Sequence, residues 1–189
     1  MINRTCVLPV IIILISLFSG SCKTAELGFK VIDINGMVYD FSNRPVTNYE
    51  IALGRRYKGS TDINGRFTIS RVPIGNYTIT GQKNGFENYI DKITIKEKGQ
   101  IIYIRIPSQN QLLNMVDEAL TANNFYLAEE MAERAYQIDK NNIETLFYCA
   151  TVAFRQSDYK KAFSLLENAK NLGSKDLYIE KFLTVLKEM

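Results

Sequence analysis

The side chains that carry out most acid–base catalysis are scarce in this sequence. Its 189 residues include no histidine, which removes the commonest general base and the commonest metal ligand. The cysteines are Cys6, Cys22 and Cys149, and none belongs to a paired-cysteine metal motif. A Gly-rich phosphate loop and a nucleophile elbow are also missing. We therefore expect no catalytic residue, no cofactor and no bound metal.

Acidic side chains could still hold a cation. The run from Asp62 to Gly65 begins like a calcium loop, but Arg66 and Phe67 follow, and the glutamate that should close such a loop is missing. A hairpin turn is the favoured interpretation. Asp33, Asp40 and Asp62 could also cluster at one end of a β-sandwich and hold a cation, although this is not the favoured interpretation.

Four tyrosines could bind a sugar instead. An exposed aromatic ring can stack on a sugar ring, but a tyrosine can equally cover the edge of a core. The residues concerned are Tyr39, Tyr49, Tyr57 and Tyr89.

Residues 1–21 have the features of an export signal. Arg4 gives a positive start, and residues 7–18 form an apolar core that is too short to span a bilayer. Small residues then lead into Cys22, and this arrangement resembles the bacterial lipobox, although Ser19 stands where leucine is usual. The resemblance implies that Cys22 is lipidated and starts the mature protein. The alternative is an ordinary signal peptide that happens to precede a cysteine.

The lipoprotein interpretation also predicts how the remaining cysteines behave. Cys6 would leave with the signal, and Cys149 would pack as a small apolar group, so we expect no disulfide. Residues 22–28 would be a lipidated tether. Lys23 replaces the aspartate that keeps some lipoproteins in the inner membrane, so the resemblance favours the outer membrane.

Residues 29–107 show the alternation of polar and apolar residues that is typical of strands. Turn residues recur between the segments, and Asn35-Gly36 and Asn64-Gly65 are the clearest of them. The pattern predicts an antiparallel β-sandwich of about seven strands. The predicted segments are residues 29–34, 37–41, 50–53, 56–60, 66–70, 76–81, 87–95 and 100–106.

The order of landmarks in this region resembles the carboxypeptidase regulatory-like domain, a prealbumin-type sandwich. The landmarks are Gly36-x-Val38-x-Asp40, Pro45-Val46, Ile51-x-Leu53, Thr61-Asp62-x-x-Gly65-x-Phe67-x-Ile69, Val72-Pro73-x-Gly75-x-Tyr77 and Gly85-Phe86. In peptidases that carry it, this domain is an accessory that cleaves nothing. The resemblance therefore transfers no catalytic residue.

Residues 108–189 contain an internal repeat. When residues 109–142 are aligned with 143–176, apolar and small residues coincide at a 34-residue offset. A period of this length indicates one helical hairpin per unit, with alanines where two helices cross closely. Residues 175–187 are predicted to form a capping helix. Pro107-Ser108 marks the joint, where Ser108 can cap the first helix and the two modules should touch.

The small-residue pattern of the repeat resembles the tetratricopeptide repeat (TPR) family. By that resemblance the first helix of each unit builds a concave, partner-binding face. Asp117 and Leu113 stand where the family's carboxylate-grasping version needs Asn and Lys, so we expect no grip on peptide C-termini. The predicted partner-binding residues are Leu113, Asp117, Leu120, Phe147, Thr151, Phe154 and Arg155, with Asn110, Thr121 and Glu144 beside them.

An apolar strip on this face would mark a partner site, and the alternative is that it packs on the β-domain or on a second copy. We expect a non-catalytic, lipid-anchored protein of the cell envelope that binds an unidentified protein partner. Net charge is +3 with no basic run, so nucleic acid is not an expected partner. The alternatives are a carbohydrate-binding surface lipoprotein and an accessory subunit of an envelope hydrolase with a separate catalytic chain.

Overall fold

The computed structural model describes residues 30–188. The predicted export signal, the lipidation site Cys22 and the predicted tether lie outside the described residues. The three hydrophobic clusters lie within residues 30–188, so the chain from Lys23 onward retains every contact described below.

The first part of the chain forms two packed β-sheets. One sheet has the strand order β4-β1-β7 and the other has the order β3-β2-β5-β6. The strands are β1 Val31–Tyr39, β2 Glu50–Leu53, β3 Tyr57–Ser60, β4 Arg66–Pro73, β5 Gly75–Gln82, β6 Tyr89–Ile95 and β7 Ile101–Arg105.

The predicted seven-stranded β-sandwich is confirmed. Alternate residues of the strands face a common core between the two sheets, as Ile32, Ile34 and Val38 do on β1. The prediction of an antiparallel fold needs one correction, because β7 runs parallel to β1 while every other strand pair is antiparallel. A parallel pair joins segments that are distant in sequence, and no local turn residue announces it.

The prediction that Asn35-Gly36 separates two strands is wrong, because both residues lie inside β1. Gly36 pairs with Phe67 on one side and Ile102 on the other. A Cβ at Gly36 would collide with the Phe67 ring, so the glycine is needed for close packing. Asn64-Gly65 does form the predicted turn, with Gly65 at φ +72°.

Five helices follow the sandwich. α1 and α3 begin 34 residues apart, as do α2 and α4, which confirms the period read from the sequence. The fifth helix is the predicted cap and begins at Leu177, after its N-cap Asp176. The helices are α1 Gln109–Thr121, α2 Phe125–Ile138, α3 Ile143–Arg155, α4 Tyr159–Asn171 and α5 Leu177–Lys187.

Alanines allow close approach where helices cross. Ala128, Ala135, Ala150, Ala162 and Ala169 have no exposed surface. Ser108 caps α1 as predicted, because its side chain accepts the N–H of Gln111 while the Gln111 side chain accepts the N–H of Ser108. Within residues 30–188 no helix combines the length and the apolar character needed to cross a bilayer.

The two modules touch directly, as the short joint predicts. The N–H of Glu87 donates to the carbonyl of Pro107 (3.1 Å), and the N–H of Gln109 donates to that of Gly85 (2.9 Å). From α2, Arg134 donates to both carboxylate oxygens of Glu87, at 2.7 and 2.8 Å. Neither side chain of this bidentate pair is more than 30% exposed, so it connects the modules more strongly than a surface pair could.

We expect Gly36→Ala to destabilise the protein by about 1–3 kcal/mol, because the added methyl must displace the Phe67 ring. Urea unfolding followed by circular dichroism measures the change in the free energy of unfolding. Ser60→Ala, at an exposed position of β3, is the control and should change it by less than about 0.5 kcal/mol. Equal stability of the two variants would contradict the described packing.

Glu87→Ala should also lower the free energy of unfolding by about 1–3 kcal/mol, because it leaves the Arg134 guanidinium half-buried without its partner. Glu133→Ala, at an exposed position of α2, is the control. A double-mutant cycle with Arg134→Ala measures the coupling between the two side chains. A coupling free energy near zero would show that the pair does not hold the modules together.

Candidate functional site

An open groove of about 350 Å³ lies between the C-terminal ends of α1 and α3. Four of the seven predicted partner-binding residues line it, and Thr121, which the sequence placed beside them, is the fifth lining residue. The structure therefore brings these side chains together where the sequence placed the concave face. The lining residues are Leu120, Thr121, Thr151, Phe154 and Arg155.

Two leucines contribute less to this face than expected. Leu113 is 2% exposed and Leu120 is 9% exposed, and both belong to the core formed by the first helices. Leu113 is thus a packing residue, which corrects its predicted role in partner binding. Leu120 forms the floor of the groove. The sequence did not reveal the burial of these leucines, because the helix face that lines a partner site also packs on the neighbouring helix.

Aromatic rings replace the leucines as the apolar part of the face. Five rings are in successive contact across α3, α4 and α5, and we call them the aromatic strip. Neighbouring ring centroids are 5.2 to 6.3 Å apart, mostly with an edge facing a ring plane. In contact order, the strip consists of Tyr148, Phe147, Phe182, Phe154 and Tyr159.

Phe182 of the capping helix is the centre of the aromatic strip. Its ring meets Phe147 at 6.3 Å and Phe154 at 5.2 Å. The expected apolar strip therefore packs partly on the capping helix, whereas the sequence left packing on the β-domain or on a second copy as the alternatives. All three phenylalanines remain half-buried, so part of each ring is still accessible.

Charged side chains border the strip at both ends. Asp117 and Glu144 are exposed and flank Tyr148. Burial, followed by these two carboxylates, raises the pKa of Tyr148, so its hydroxyl stays protonated. At the other end the exposed Arg155 lies over the Phe125 ring, 5.7 Å from its centroid. The face thus combines an acidic end, an aromatic middle and a basic end.

The tyrosines of the β-domain are not exposed together. Tyr49 is fully buried and donates to the carbonyl of Glu87 at 3.1 Å. Tyr57 is half-buried and packs edge-on against Tyr77, while Tyr39 and Tyr89 are also half-buried. The alternative of a sugar-stacking surface made by exposed tyrosines is therefore not supported, and Tyr49, Tyr57 and Tyr89 pack in or against the core.

The three aspartates that might have held a cation serve separate turns. Asp62 accepts the N–H groups of Asn64 and Arg66. Asp40 accepts those of Ser42 and Arg44, and Asp33 lies near the opposite end of β1. Within residues 30–188 no group of three His, Cys, Asp or Glu side chains lies close enough to hold a metal ion.

Cys149 lines a cavity of about 210 Å³ between α2, α3 and α4. The thiol is half-buried and lies 3.6 Å from the carbonyl of Ala132, close to the inward position that the sequence predicted. Burial, and then the carboxylate of Glu133, raise the pKa of Cys149 to about 11. The thiol is consequently a packing group with low nucleophilic character at neutral pH.

Two family models match consecutive parts of the chain. Residues 33–103 match the carboxypeptidase regulatory-like domain. Residues 121–183 match the family described as anaphase-promoting complex, cyclosome, subunit 3, which is TPR-like. The chain joins a carboxypeptidase regulatory-like domain to a TPR-like domain. The resemblances of residues 29–107 and of the repeat region to these two families are thereby confirmed at the level of the domain.

Solved structures with similar regions include a type II cohesin–X-dockerin complex from Acetivibrio cellulolyticus, at 16% identity and a TM-score of 0.37, covering 43% of this chain and 60% of the other. A protein from Bacteroides uniformis, named for carbohydrate binding, matches at 10% identity and 0.36, covering 41% and 42%. A protein of the same description from Pseudomonas aeruginosa matches at 18% identity and a TM-score of 0.30. The match covers 40% of this chain and 88% of the other. The chain thus spans less than two thirds of the first two. No curated protein matches it significantly.

The TPR-like domain also contains a site residue that the sequence analysis missed. Phe182 follows Tyr148 by 34 residues, so it occupies the corresponding position of a third, partial unit. The predicted face residues Phe147 and Thr151 align with Lys181 and Val185 instead, so the repeat alone does not place Phe182 on that face. Tyr159, the first residue of α4, was also missed, because its contact with Phe154 forms only when the helical hairpin folds.

We expect Cys149 to react with iodoacetamide at pH 8 roughly a hundredfold more slowly than a thiol of pKa 9, because its pKa of about 11 leaves little thiolate. The chain from Lys23 onward has Cys149 as its single thiol, so alkylation can be followed by mass spectrometry. In urea the rate should rise to that of a free cysteine. An equal rate in the folded and unfolded chain would contradict the described burial.

Proposed function

We propose that this protein is a non-catalytic lipoprotein of the bacterial cell envelope that binds a protein partner through its TPR-like domain. The partner would lie along the aromatic strip, with one of its apolar side chains in the groove between α1 and α3. The observation that carries the proposal is the combination of this open groove with five contiguous rings, three of them half-exposed phenylalanines.

The accessibility of the strip favours binding over a purely structural role. Aromatic rings contribute large contact areas and lose little side-chain entropy on binding, which is why they dominate the energetics of interfaces. Ala150 of α3 has no exposed surface, whereas Phe147, Phe154 and Phe182 each keep part of the ring at the surface. A helical segment or an extended segment could each bury these rings.

The charges beside the strip indicate which side chains the partner presents. Asp117 and Glu144 favour a lysine or arginine close to Tyr148. Arg155 favours a carboxylate at the other end of the strip, beside the groove. The partner segment should therefore carry a basic group, apolar side chains and an acidic group along its length.

We further propose that residues 1–21 direct export and that Cys22 carries the lipid, with the outer membrane as the favoured location. Two or more acyl chains would anchor the protein stably, since each buried methylene contributes about 0.8 kcal/mol. Residues 23–29 then connect the anchor to β1. In this arrangement the sandwich is a spacer between the membrane and the binding site.

The alternatives differ in what occupies the strip. An accessory role would make the partner a hydrolase subunit, and self-association would make it a second copy of this chain. Carbohydrate binding loses its structural basis in the tyrosines, because Tyr49 is fully buried and Tyr57 packs against Tyr77.

Affinity capture from envelope extract tests the proposal. The chain from Lys23 onward is the bait, and Thr151→Arg is the variant, because an arginine at this half-buried position fills the groove next to Phe154. The helix should persist, since arginine is a good helix former. We expect capture of the partner to fall at least tenfold, measured by quantitative mass spectrometry.

Gln137→Arg, at an exposed position of α2, adds the same charge away from the groove and is the control. It should leave capture unchanged. If Thr151→Arg captures the same proteins at the same yield as the control, the groove is not the binding site. Native mass spectrometry of the bait alone separates self-association from capture of another protein.

A further inference from the structure

One end of the β-sandwich gathers the loops farthest from the helices. β1 begins there, and its first residue, Val31, pairs with Pro73 at the end of β4. Gly75 at the start of β5 pairs with Ile95 at the end of β6. The hairpin after β2 reaches the same end, since the N–H of Gly54 donates to the carbonyl of Thr78. We call this end, made of Lys30 and residues 54–56, 71–75 and 96–99, the tether end.

The helical domain lies at the opposite end of the sandwich. β1 runs from the tether end to Tyr39, and the N–H of Ile106 donates to the Tyr39 carbonyl just before the joint with α1. Gly85 and Glu87, which bond the joint, follow the far end of β5. The chain that precedes Lys30 therefore leaves the fold at the end away from the groove.

The tether end is strongly basic, although the sequence contains no basic run. Its loops contain one acidic side chain, Glu97, and Asp33 lies nearby on β1. The whole chain has a net charge of only +3. The excess positive charge of this end is therefore partly offset by acidic residues elsewhere in the chain. The six basic side chains, all exposed, are Lys30, Arg55, Arg56, Arg71, Lys96 and Lys98.

Apolar side chains protrude among these charges. Val31 is 44% exposed and Ile74 is 40% exposed, and the N–H of Ile74 donates to the carbonyl of Lys30. An aliphatic side chain at a loop tip, surrounded by lysine and arginine, matches the layered chemistry of a bilayer surface. There the anionic headgroups lie above an apolar interior.

Arg71, at this end, has an unfavourable backbone conformation. Its φ is +57°, in the left-handed region that favours glycine, and it lies at a bulge where β4 has one residue more than β1. The Asp33 carboxylate accepts its backbone N–H at 2.9 Å. The side chain stays exposed, so its charge does not contribute to the packing.

We propose that the tether end docks onto the surface of an anionic phospholipid bilayer. The six basic side chains would contact lipid phosphates, and Ile74 and Val31 would reach the interface below them. Charge complementarity supports this occupant, because six exposed basic side chains and two exposed apolar ones share the surface with one acidic loop residue. The surface lies within the described residues, so docking does not depend on lipidation of Cys22 or on a partner in the groove.

Docking would set the direction in which the binding site faces. Because the helical domain is at the opposite end of the sandwich, contact at the tether end directs the groove away from the bilayer. The Glu87–Arg134 pair and the backbone hydrogen bonds of the joint hold the helices in that direction. A tether alone would leave the orientation of the protein unspecified.

Vesicle sedimentation with the unlipidated chain from Lys23 onward tests the proposal. We expect binding to vesicles that contain phosphatidylglycerol, little binding to pure phosphatidylcholine, and loss of binding at high salt. The triple variant Arg71→Gly, Lys96→Ser, Lys98→Ser should bind roughly a hundredfold more weakly, at about fivefold per basic residue. Arg71→Gly relieves the left-handed backbone conformation, so the variant should remain folded.

The control variant is Lys140→Ser, Lys160→Ser, Lys175→Ser, which removes the same charge from exposed positions of the helical domain. Its vesicle affinity should stay within about threefold of the parent. Equal losses in both triple variants would overturn the proposal, because net charge alone would then account for binding. Retention on heparin without binding to phosphatidylglycerol vesicles would overturn it too, since the surface would then recognise another polyanion.

A single tryptophan gives an independent test of orientation. The sequence contains no tryptophan, so Ile74→Trp introduces a unique probe at the tether end. We expect its emission to shift to the blue and to be quenched by brominated lipids on vesicle binding. Tyr126→Trp, at an 80% exposed site on α2, should show neither change. Quenching at both positions or at the α2 position alone would contradict docking through the tether end.

Discussion

The joint between the domains is the constraint on which the rest of the structure depends. Residues 85–87 and 107–109 bond to each other through backbone groups on both sides of Phe86, which forms a β-bridge with Ser108. The bidentate contact of Arg134 with Glu87 fixes α2 against the same segment. Since Ser108 also caps α1, the last residues of the sandwich determine where the first helix starts. With a longer linker that made no hydrogen bonds, the groove would have no fixed position relative to the sheets.

The sequence predicted those parts of the fold that depend on local or periodic signals. The helix positions followed from the 34-residue offset, because close helix crossings admit only small residues such as Ala128 and Ala162. The strands followed from alternation. Gly36 was misread as a turn residue, since a glycine that makes room for Phe67 looks the same in sequence as one that turns the chain. The parallel pairing of β7 with β1 involves no local signal at all.

The candidate site was predictable in position but not in composition. The repeat placed Thr151, Phe154 and Arg155 on one face, and the structure puts all three in the groove. Leu113 was misassigned because the same helix position can contact either a partner or the neighbouring helix. In this protein it contacts the neighbouring helix and is buried. Phe182 was missed because its helix was regarded as a cap. Its ring joins the strip through contacts with Phe147 and Phe154 that depend on how α5 packs against α3, which the repeat does not encode.

The basic surface at the tether end shows why net charge per chain is a poor guide to binding. Its six basic residues come from four separate segments, so no window of the sequence is strongly basic. The strand order brings them together, because every second loop between antiparallel strands lies at the same end of the sandwich. Arg71 belongs to this surface although glycine would suit its φ of +57° better. Its charged side chain is exposed at the end where the chain enters the fold, and contact with a negatively charged surface is the role that we propose for it.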